Sequence, residues 1–180
     1  MPIQDIKKVN KNVPITNVYA EEAREMVTTV MNEAGKKFHG KGVNKEQNEV
    51  IILTQTGNQG AAVVKIQAEQ KNYIAFSKLN FDDQLEILKG LGVSYQGYII
   101  TKPEEKYDTL KVNNKNEPGT GFGYKSRVND TEKKMLEAIY WEIKADPNFI
   151  QPESGEIHIF TKIEPCKGCI HVTEQFLNDF

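Results

Sequence analysis

The sequence has few of the features that mark membrane, disulfide-rich or strongly basic proteins. Its 180 residues include only two cysteines, Cys166 and Cys169, too few for a disulfide framework. No apolar run approaches the 18 residues of a transmembrane helix, and Met1–Lys8 lacks the apolar core of a signal peptide. The net charge of −2 excludes a strongly basic surface of the histone type, so binding of a polynucleotide would need a local patch. A chain of this length can build its own core as one domain.

The first half of the chain combines a helical pattern with several strand-like runs. Apolar residues at three- and four-residue steps predict an amphipathic helix of about 18 residues between Asn17 and Gly35. The polar segment 36–47 reads as a linker. Three predicted strands joined as hairpins follow, over Glu49–Gln55, Gly60–Gln67 and Asn72–Leu79. The next two predicted elements are a helix over Asp82–Leu91 and a further strand over Tyr95–Thr101.

The second half begins with residues 103–124, a long segment rich in glycine, proline and asparagine. A loop of this length is uncommon in a compact domain and often functional. It is followed by a predicted helix over Thr131–Lys144, a strand over Glu156–Thr161 and a final helix over Cys166–Phe176. The order of elements predicts a layered α/β or α+β domain with a mixed sheet.

Cys166 and Cys169 form a C-x-x-C pair at the predicted start of the last helix. The positive end of the helix dipole favours thiolates there, and thiolates are good zinc ligands. A redox pair of the thioredoxin type should lie near the start of a βαβ unit, whereas this pair lies about 12 residues from the end of the sequence. No second C-x-x-C accompanies the pair, which disfavours a closed four-ligand structural site. Spacing alone leaves zinc binding, redox chemistry and chance open.

Asp130 and Glu132 stand at the start of the preceding predicted helix. Taken alone, they read as ordinary helix capping, with Asn129 and Glu132 forming a capping box. Taken with the cysteines they indicate more, because an acid-x-Glu followed by P-C-x-x-C matches the layout of zinc nucleobase deaminases. Two neighbouring helix N-termini can then present three ligands and leave the fourth position open for water.

These motifs resemble the bacterial toxin deaminases of the cytidine-deaminase-like superfamily, in particular the group whose first motif reads D-[ST]-E. Asp130-Thr131-Glu132 is similar to that motif, and the likeness covers about residues 48–180. It includes the segments Gly57–Asn80, Lys134–Leu136, Gly155–Thr161 and Gln175–Phe176. The resemblance implies a cytidine-deaminase-like α/β/α sandwich over 48–180, preceded by an N-terminal helical extension over 1–47. Relatives normally continue into another strand after the last helix, whereas this sequence stops at Phe180, so we expect that the strand is truncated, absent or replaced.

The resemblance also implies the ligands and the activity. Asp130, Cys166 and Cys169 would hold one zinc ion, and Glu132 would move protons during hydrolytic deamination of a nucleobase, cytosine before adenine. Aspartate replaces the histidine found in most of the superfamily, so the site is one charge more negative and more is required of Glu132. The implied setting is a secreted bacterial toxin that acts on nucleic acid in the cytoplasm of a target cell, with a dedicated immunity protein as partner.

Several further residues are candidates for substrate contact. Ser77 and Asn80 close the predicted hairpin and are expected, by analogy with the superfamily, to contact the base or sugar. Phe122 and Tyr124 lie among glycines and suit base stacking, which favours single-stranded DNA as substrate. Arg127 could bind a phosphate or form a surface salt bridge. The histidines, His39, His158 and His171, are not expected to be ligands.

Two alternatives remain open. In the first, zinc or a reduced thiol pair only stabilises a protein-binding domain, and Glu132 caps a helix. In the second, the chain deaminates a free nucleoside or RNA. The activity of a Glu132 variant separates the first from catalysis, and the length of the 103–124 loop favours a substrate larger than a nucleoside.

Overall fold

The computed structural model describes residues 18–38, 44–66, 69–79, 98–102, 104–145 and 155–180. Its elements, in chain order, are α1 (Val18–Phe38), α2 (Lys45–Gln55), β1 (Gln59–Ile66), β2 (Glu69–Phe76), β3 (Tyr98–Ile100), α3 (Thr131–Ala145), β4 (Gly155–Thr161) and α4 (Lys167–Asn178). Within these ranges, every helix is too short or too polar to cross a bilayer.

The four strands form one mixed sheet in the order β3-β2-β1-β4. Strand β1 lies in its interior and pairs antiparallel with both β2 and β4, while β3 pairs parallel with β2. The continuous apolar run Ala61–Val64 explains the place of β1, because a strand covered on both faces needs no polar side. The mixed sheet confirms the predicted α/β class.

Helices cover both faces of this sheet. Ala62 and Val64 of β1 and Ile157 and Ile159 of β4 point to one face, where they pack against α3 and α4. The alternate residues point to the other face and pack against α1, in a cluster of Ala23, Met26, Val27, Ala61, Val63 and Phe160. The result is a three-layer α/β/α arrangement consistent with a cytidine-deaminase-like fold. Helix α1 lies directly on the sheet, and the predicted domain boundary at residue 47 stays a prediction.

The structure corrects the prediction for Glu49–Gln55. This segment is not a strand but the main part of helix α2, whose backbone bonds include Asn48 N to Asn44 O at 3.0 Å and Thr56 N to Ile52 O at 2.9 Å. An apolar run of four residues fits a strand and a short helix equally well, so periodicity could not separate them. Helix α1 also continues beyond Gly35 to Phe38, since a single glycine lowers helix propensity by only about 1 kcal/mol.

The predicted linker 36–47 is shorter than expected, because α1 extends to Phe38 and α2 begins at Lys45, and the other predictions agree with the structure where they can be compared. Gly60–Gln67, Asn72–Leu79 and Glu156–Thr161 correspond to β1, β2 and β4, with boundaries shifted by up to three residues. The predicted helices Thr131–Lys144 and Cys166–Phe176 are α3 and α4. Only Tyr98–Ile100 of the predicted strand Tyr95–Thr101 is a described strand. The predicted helix Asp82–Leu91 and the substrate candidate Asn80 lie outside the described residues.

Candidate functional site

The C-terminal end of β4 leads through Pro165 into the first turn of α4, and this turn positions both cysteines. Cys166 is the N-cap: its backbone is extended, with φ −76° and ψ 168°, and its sulfur accepts a hydrogen bond from Cys169 N at 3.4 Å. Cys169 lies one turn later and is 3% exposed. Because residues three apart share a helix face, the two thiols point to the same side.

Asp130 brings a carboxylate to the same point from α3. Its backbone carbonyl accepts a hydrogen bond from Lys134 N at 3.2 Å, which places Asp130 at the N-cap position immediately before α3. Its Oδ2 lies 3.3 Å from Cys166 Sγ and 3.1 Å from Cys169 Sγ, and the two sulfurs are 3.3 Å apart. The structure therefore places the three predicted ligand residues together, in a group that could hold a metal ion.

The dimensions of this triangle suit zinc. Zn–S bonds of about 2.3 Å and Zn–O bonds of about 2.1 Å separate ligand atoms by about 3.6–3.8 Å in a tetrahedron. The observed triangle is tighter by a few tenths of an ångström, which small side-chain rotations can supply. The Arg127 guanidinium lies nearby, with its Nη1 3.8 Å from Asp130 Oδ1. Three converging acidic groups are the environment that a divalent cation relieves.

Hydrogen bonding within the triangle makes the two thiols unequal. The hydrogen bond with Cys169 lowers the pKa of Cys166 below its usual value, so Cys166 is the first to become a thiolate. The hydrogen bond to Cys166 and burial raise the pKa of Cys169. A cation that binds both sulfurs must displace the second proton, so its binding should release protons.

Glu132 is buried beside the triangle, with 3% of its surface exposed. Its Oε2 accepts a hydrogen bond from the Thr131 hydroxyl at 2.9 Å, whereas Oε1 is buried and has no hydrogen-bond partner among the described residues. Burial raises the pKa of this carboxyl above its usual range, and the Thr131 bond acts in the opposite direction. The capping box with Asn129 is thus not what fixes this side chain.

The model of the Toxin-deaminase family, the BURPS668_1122 family of deaminases, matches residues 35–180. The chain belongs to this family. The match covers α2, the whole described sheet, α3 and α4, and therefore every residue of the site. Searches of curated proteins and of solved structures gave no significant match.

Sequence reasoning missed one residue that organises the site of this deaminase, Asn58. Its side-chain amide donates to Thr131 Oγ1 at 3.0 Å and accepts from Ile163 N at 2.9 Å. Its backbone N–H donates to Ser77 Oγ at 2.9 Å, and its carbonyl accepts from Ser77 N at 2.9 Å. Asn58 therefore connects the start of β1 to three other segments. Gly57-Asn58 reads in the sequence only as a turn, and nothing in the linear order signals the other contacts.

Ser77 is a predicted substrate residue of the deaminase, and the structure places it at the site end of β2, bonded to Asn58. The adjoining turn is held to α3 by Lys134, whose Nζ donates to Phe76 O at 2.6 Å and Leu79 O at 2.9 Å. Burial lowers the pKa of Lys134 to about 8. The end of β2 is thereby fixed to the helix that carries Asp130 and Glu132.

The predicted loop 103–124 has no helix or strand over its described residues, and it packs along the start of α4. Lys167 N donates to Asn116 Oδ1 at 2.8 Å. A Cβ on Gly168 would lie 2.9 Å from Leu110 O and 3.2 Å from the Arg127 side chain, so glycine permits this close packing. Val112 forms isolated bridges with Pro118 and Lys125, which fold the loop back on itself.

The stacking candidates of the deaminase differ in exposure. Phe122 is fully exposed at the tip of the loop, between Gly121 at φ +98° and Gly123 at φ +88°. Tyr124 is half-buried and packs on Gly119. Arg127, a candidate for phosphate binding or a salt bridge, forms an ion pair with Asp130.

The two histidines among the described residues lie apart from the metal-binding group. His158 is buried in β4, where its ring stacks on Tyr19 with centroids 5.2 Å apart and its Nε2 lies 2.9 Å from Glu156 Oε2. His171 Nδ1 lies 4.0 Å from Glu174 Oε2 on the outer side of α4. His39 lies outside the described residues.

Proposed function

We propose that this deaminase is zinc-dependent and converts cytosine to uracil in single-stranded DNA. The carrying observation is the Asp130, Cys166 and Cys169 triangle next to a buried glutamate with one unpaired oxygen. This combination is what hydrolytic deamination of a base requires, namely a cation with an open position and a proton carrier that is not a ligand.

The residues have separate roles in this proposal. Asp130, Cys166 and Cys169 would hold zinc, which supplies a water nucleophile that is active near neutral pH. Glu132 takes a proton from the attacking water, whose oxygen bonds to C4 of cytosine, and delivers this proton to the ring nitrogen. Glu132 then moves the remaining proton of the added hydroxyl group to the amino group, and the C4–N bond breaks to release ammonia and leave the carbonyl of uracil. The raised pKa of a buried carboxyl suits a group that must accept and donate in turn.

The charge around the site supports a nucleic acid substrate. The chain as a whole has a net charge of −2, but residues 110–127, which pack beside the cysteines, carry four basic side chains and one acidic one. Residues 162–167, between β4 and α4, carry two basic side chains and one acidic one. This rim can meet phosphates, and the exposed Phe122 offers a ring for an unpaired base.

Single-stranded DNA is preferred over duplex because an unpaired base needs no extrusion, which costs a few kcal/mol. The chain has few arginines that could bind the phosphates of a duplex, since its sequence contains only Arg24 and Arg127. In the biological setting we propose, the chain is the toxic part of a secreted bacterial effector. It acts in the cytoplasm of the target cell, and an immunity protein protects the producer. Membership of the Toxin-deaminase family supports the toxic role in this proposal.

The test is incubation with four substrates in parallel: single-stranded DNA, the matching duplex, RNA of the same sequence and free cytidine. Sequencing and chromatography then report C-to-T or A-to-G changes and uridine. We expect cytosine conversion to be fastest in single-stranded DNA. Glu132→Gln, which keeps the size of the side chain, is the matched control and should lose activity by ~10²–10⁴-fold. Faster conversion of the duplex, conversion of adenine, or full activity of Glu132→Gln would each contradict part of the proposal.

A further inference from the structure

The two oxygens of the Glu132 carboxylate differ in their surroundings. Oε2 accepts the Thr131 hydroxyl at 2.9 Å, and Oε1 has no partner in the part of the chain that the structure describes. Thr131 itself is completely buried, so water cannot replace its hydroxyl as a donor. The Thr131 hydroxyl is thus the side-chain donor that engages Oε2, and the direction of its proton contributes to the orientation of the carboxylate.

Asn58 fixes that direction. Its amide could in principle be turned either way, but Ile163 N lies 2.9 Å from Oδ1, and a backbone N–H can only donate. The atom facing Ile163 is therefore the amide oxygen, and the NH₂ group faces Thr131 Oγ1 at 3.0 Å. Because an amide NH₂ cannot accept, the Thr131 hydroxyl must accept from Asn58 and give its own proton to Glu132 Oε2.

We propose that Asn58 and Thr131 are positioning residues that hold Glu132 with Oε2 occupied and Oε1 free to carry the proton. The hydrogen bonds run in one direction, from Ile163 N–H to Asn58, from Asn58 to Thr131 and from Thr131 to Glu132. When Glu132 takes a proton from the attacking water, the proton binds Oε1, and Oε2 keeps its hydrogen bond. When Glu132 donates that proton to the base, Oε1 returns to its starting state.

The arrangement also relates Glu132 to the segment before the cysteines. Ile163 lies between β4 and α4, three residues before Cys166, and Asn58 precedes β1. The same asparagine thus ties the segment leading to Cys166 to the helix that carries Glu132 and Asp130. A change at Asn58 or Thr131 is expected to alter where the proton carrier lies without removing any metal-binding atom.

The proposal rests on the proposed deamination, so its first test is independent of turnover. Crystal structures of the wild type, Thr131→Val and Thr131→Ser report the position of the Glu132 carboxylate directly. Valine has nearly the shape of threonine and lacks the hydroxyl, while serine keeps it. We expect Glu132 to hold its position in Thr131→Ser and to rotate away in Thr131→Val. An unmoved carboxylate in Thr131→Val would overturn the proposal.

Kinetics give the second test, on whichever substrate the wild type deaminates. Thr131→Val should lower kcat by about 10- to 100-fold, the effect of misplacing a catalytic group by about 1 Å, with KM and zinc content unchanged. Thr131→Ser should retain most of the wild-type kcat, which a purely structural role would not require. Unchanged kcat in Thr131→Val would overturn the proposal. Full turnover by Glu132→Gln would instead contradict the proposed function, and the crystal structures would still decide the positioning.

Asn58→Asp tests the direction of the hydrogen bonds. It keeps an oxygen for Ile163 N–H but replaces the NH₂ donor by an acceptor, which competes with Glu132 for the Thr131 proton. We expect a loss of kcat at least as large as in Thr131→Val, and little further loss when the two changes are combined, because both act through the same proton. If the loss of kcat in the double variant equalled the product of the losses in the two single variants, Asn58 would not act through Thr131.

Discussion

Cys166 has two separable properties at one helix end. Its extended backbone and sulfur cap α4, and the same sulfur lies 3.3 Å from Asp130 Oδ2. Serine is among the best N-cap residues, but a hydroxyl is a poor substitute for a thiolate in binding zinc. Substitution by serine therefore preserves the cap while it removes the ligand, which allows the two contributions to be measured apart.

We predict that the wild type holds one zinc per chain and that Cys166→Ser loses most of it while remaining folded. Elemental analysis after dialysis measures the zinc, and circular dichroism follows the fold. His171→Asn is the matched control, because that histidine lies two residues after Cys169 but apart from the triangle. It should keep its zinc. A full complement of zinc in Cys166→Ser would contradict the ligand assignment.

At the scale of elements, Glu137 of α3 anchors the long loop to the domain. The side chain is completely buried, and its two oxygens accept the backbone N–H groups of Glu104, Lys106 and Tyr107 at 2.8–2.9 Å. It also pairs with the buried ammonium of Lys133. One carboxylate therefore orders the beginning of the loop that continues to the rim of the site.

Glu137→Gln should destabilise the protein by about 3–5 kcal/mol, because it leaves the Lys133 charge buried without a counter-ion and turns an NH₂ group toward backbone donors. Chemical denaturation gives the free energy of unfolding. Glu117→Gln makes the same change on the exposed part of the loop and should alter that energy by no more than about 0.5 kcal/mol. Equal stabilities of the two variants would refute the anchoring role.

Long, periodic elements were predictable from the sequence, and contacts between loops were not. The face formed by Met135, Leu136 and Ile139 identifies α3, because apolar residues at helical spacing must pack on one side. The prediction for the segment of α2 was wrong because a run of four apolar residues shows no periodicity that separates a helix from a strand. The grouping of Asp130 with the two cysteines followed from the resemblance to toxin deaminases, because the spacing of the cysteines alone left several readings open. Asn58 was not predictable, because its partners Thr131 and Ile163 are 73 and 105 residues away.

On the scale of the whole molecule, the sheet depends on cover from both sides. Helices α3 and α4 cover one face and also supply the site, whereas α1 covers the other face through Ala23, Met26 and Val27. Both cysteines and Asp130 meet at one end of the sheet. The distances between these residues therefore depend on a sheet that is also buried on the face away from α3.

This dependence leads to a prediction about α1. Val27 is 2% exposed and packs against the sheet, so Val27→Asp places a charge in an apolar layer and should unfold the protein or destabilise it by several kcal/mol. Thr29→Asp introduces the same charge on the exposed side of the same helix and should change the melting temperature little. Thermal unfolding of both variants compares them. If α1 were only an extension, as a domain boundary at residue 47 predicts, Val27→Asp and Thr29→Asp would have the same melting temperature. A large difference in melting temperature would instead show that α1 is part of the folded unit, because disrupting a helix destabilises the sheet only when that helix is needed to bury it.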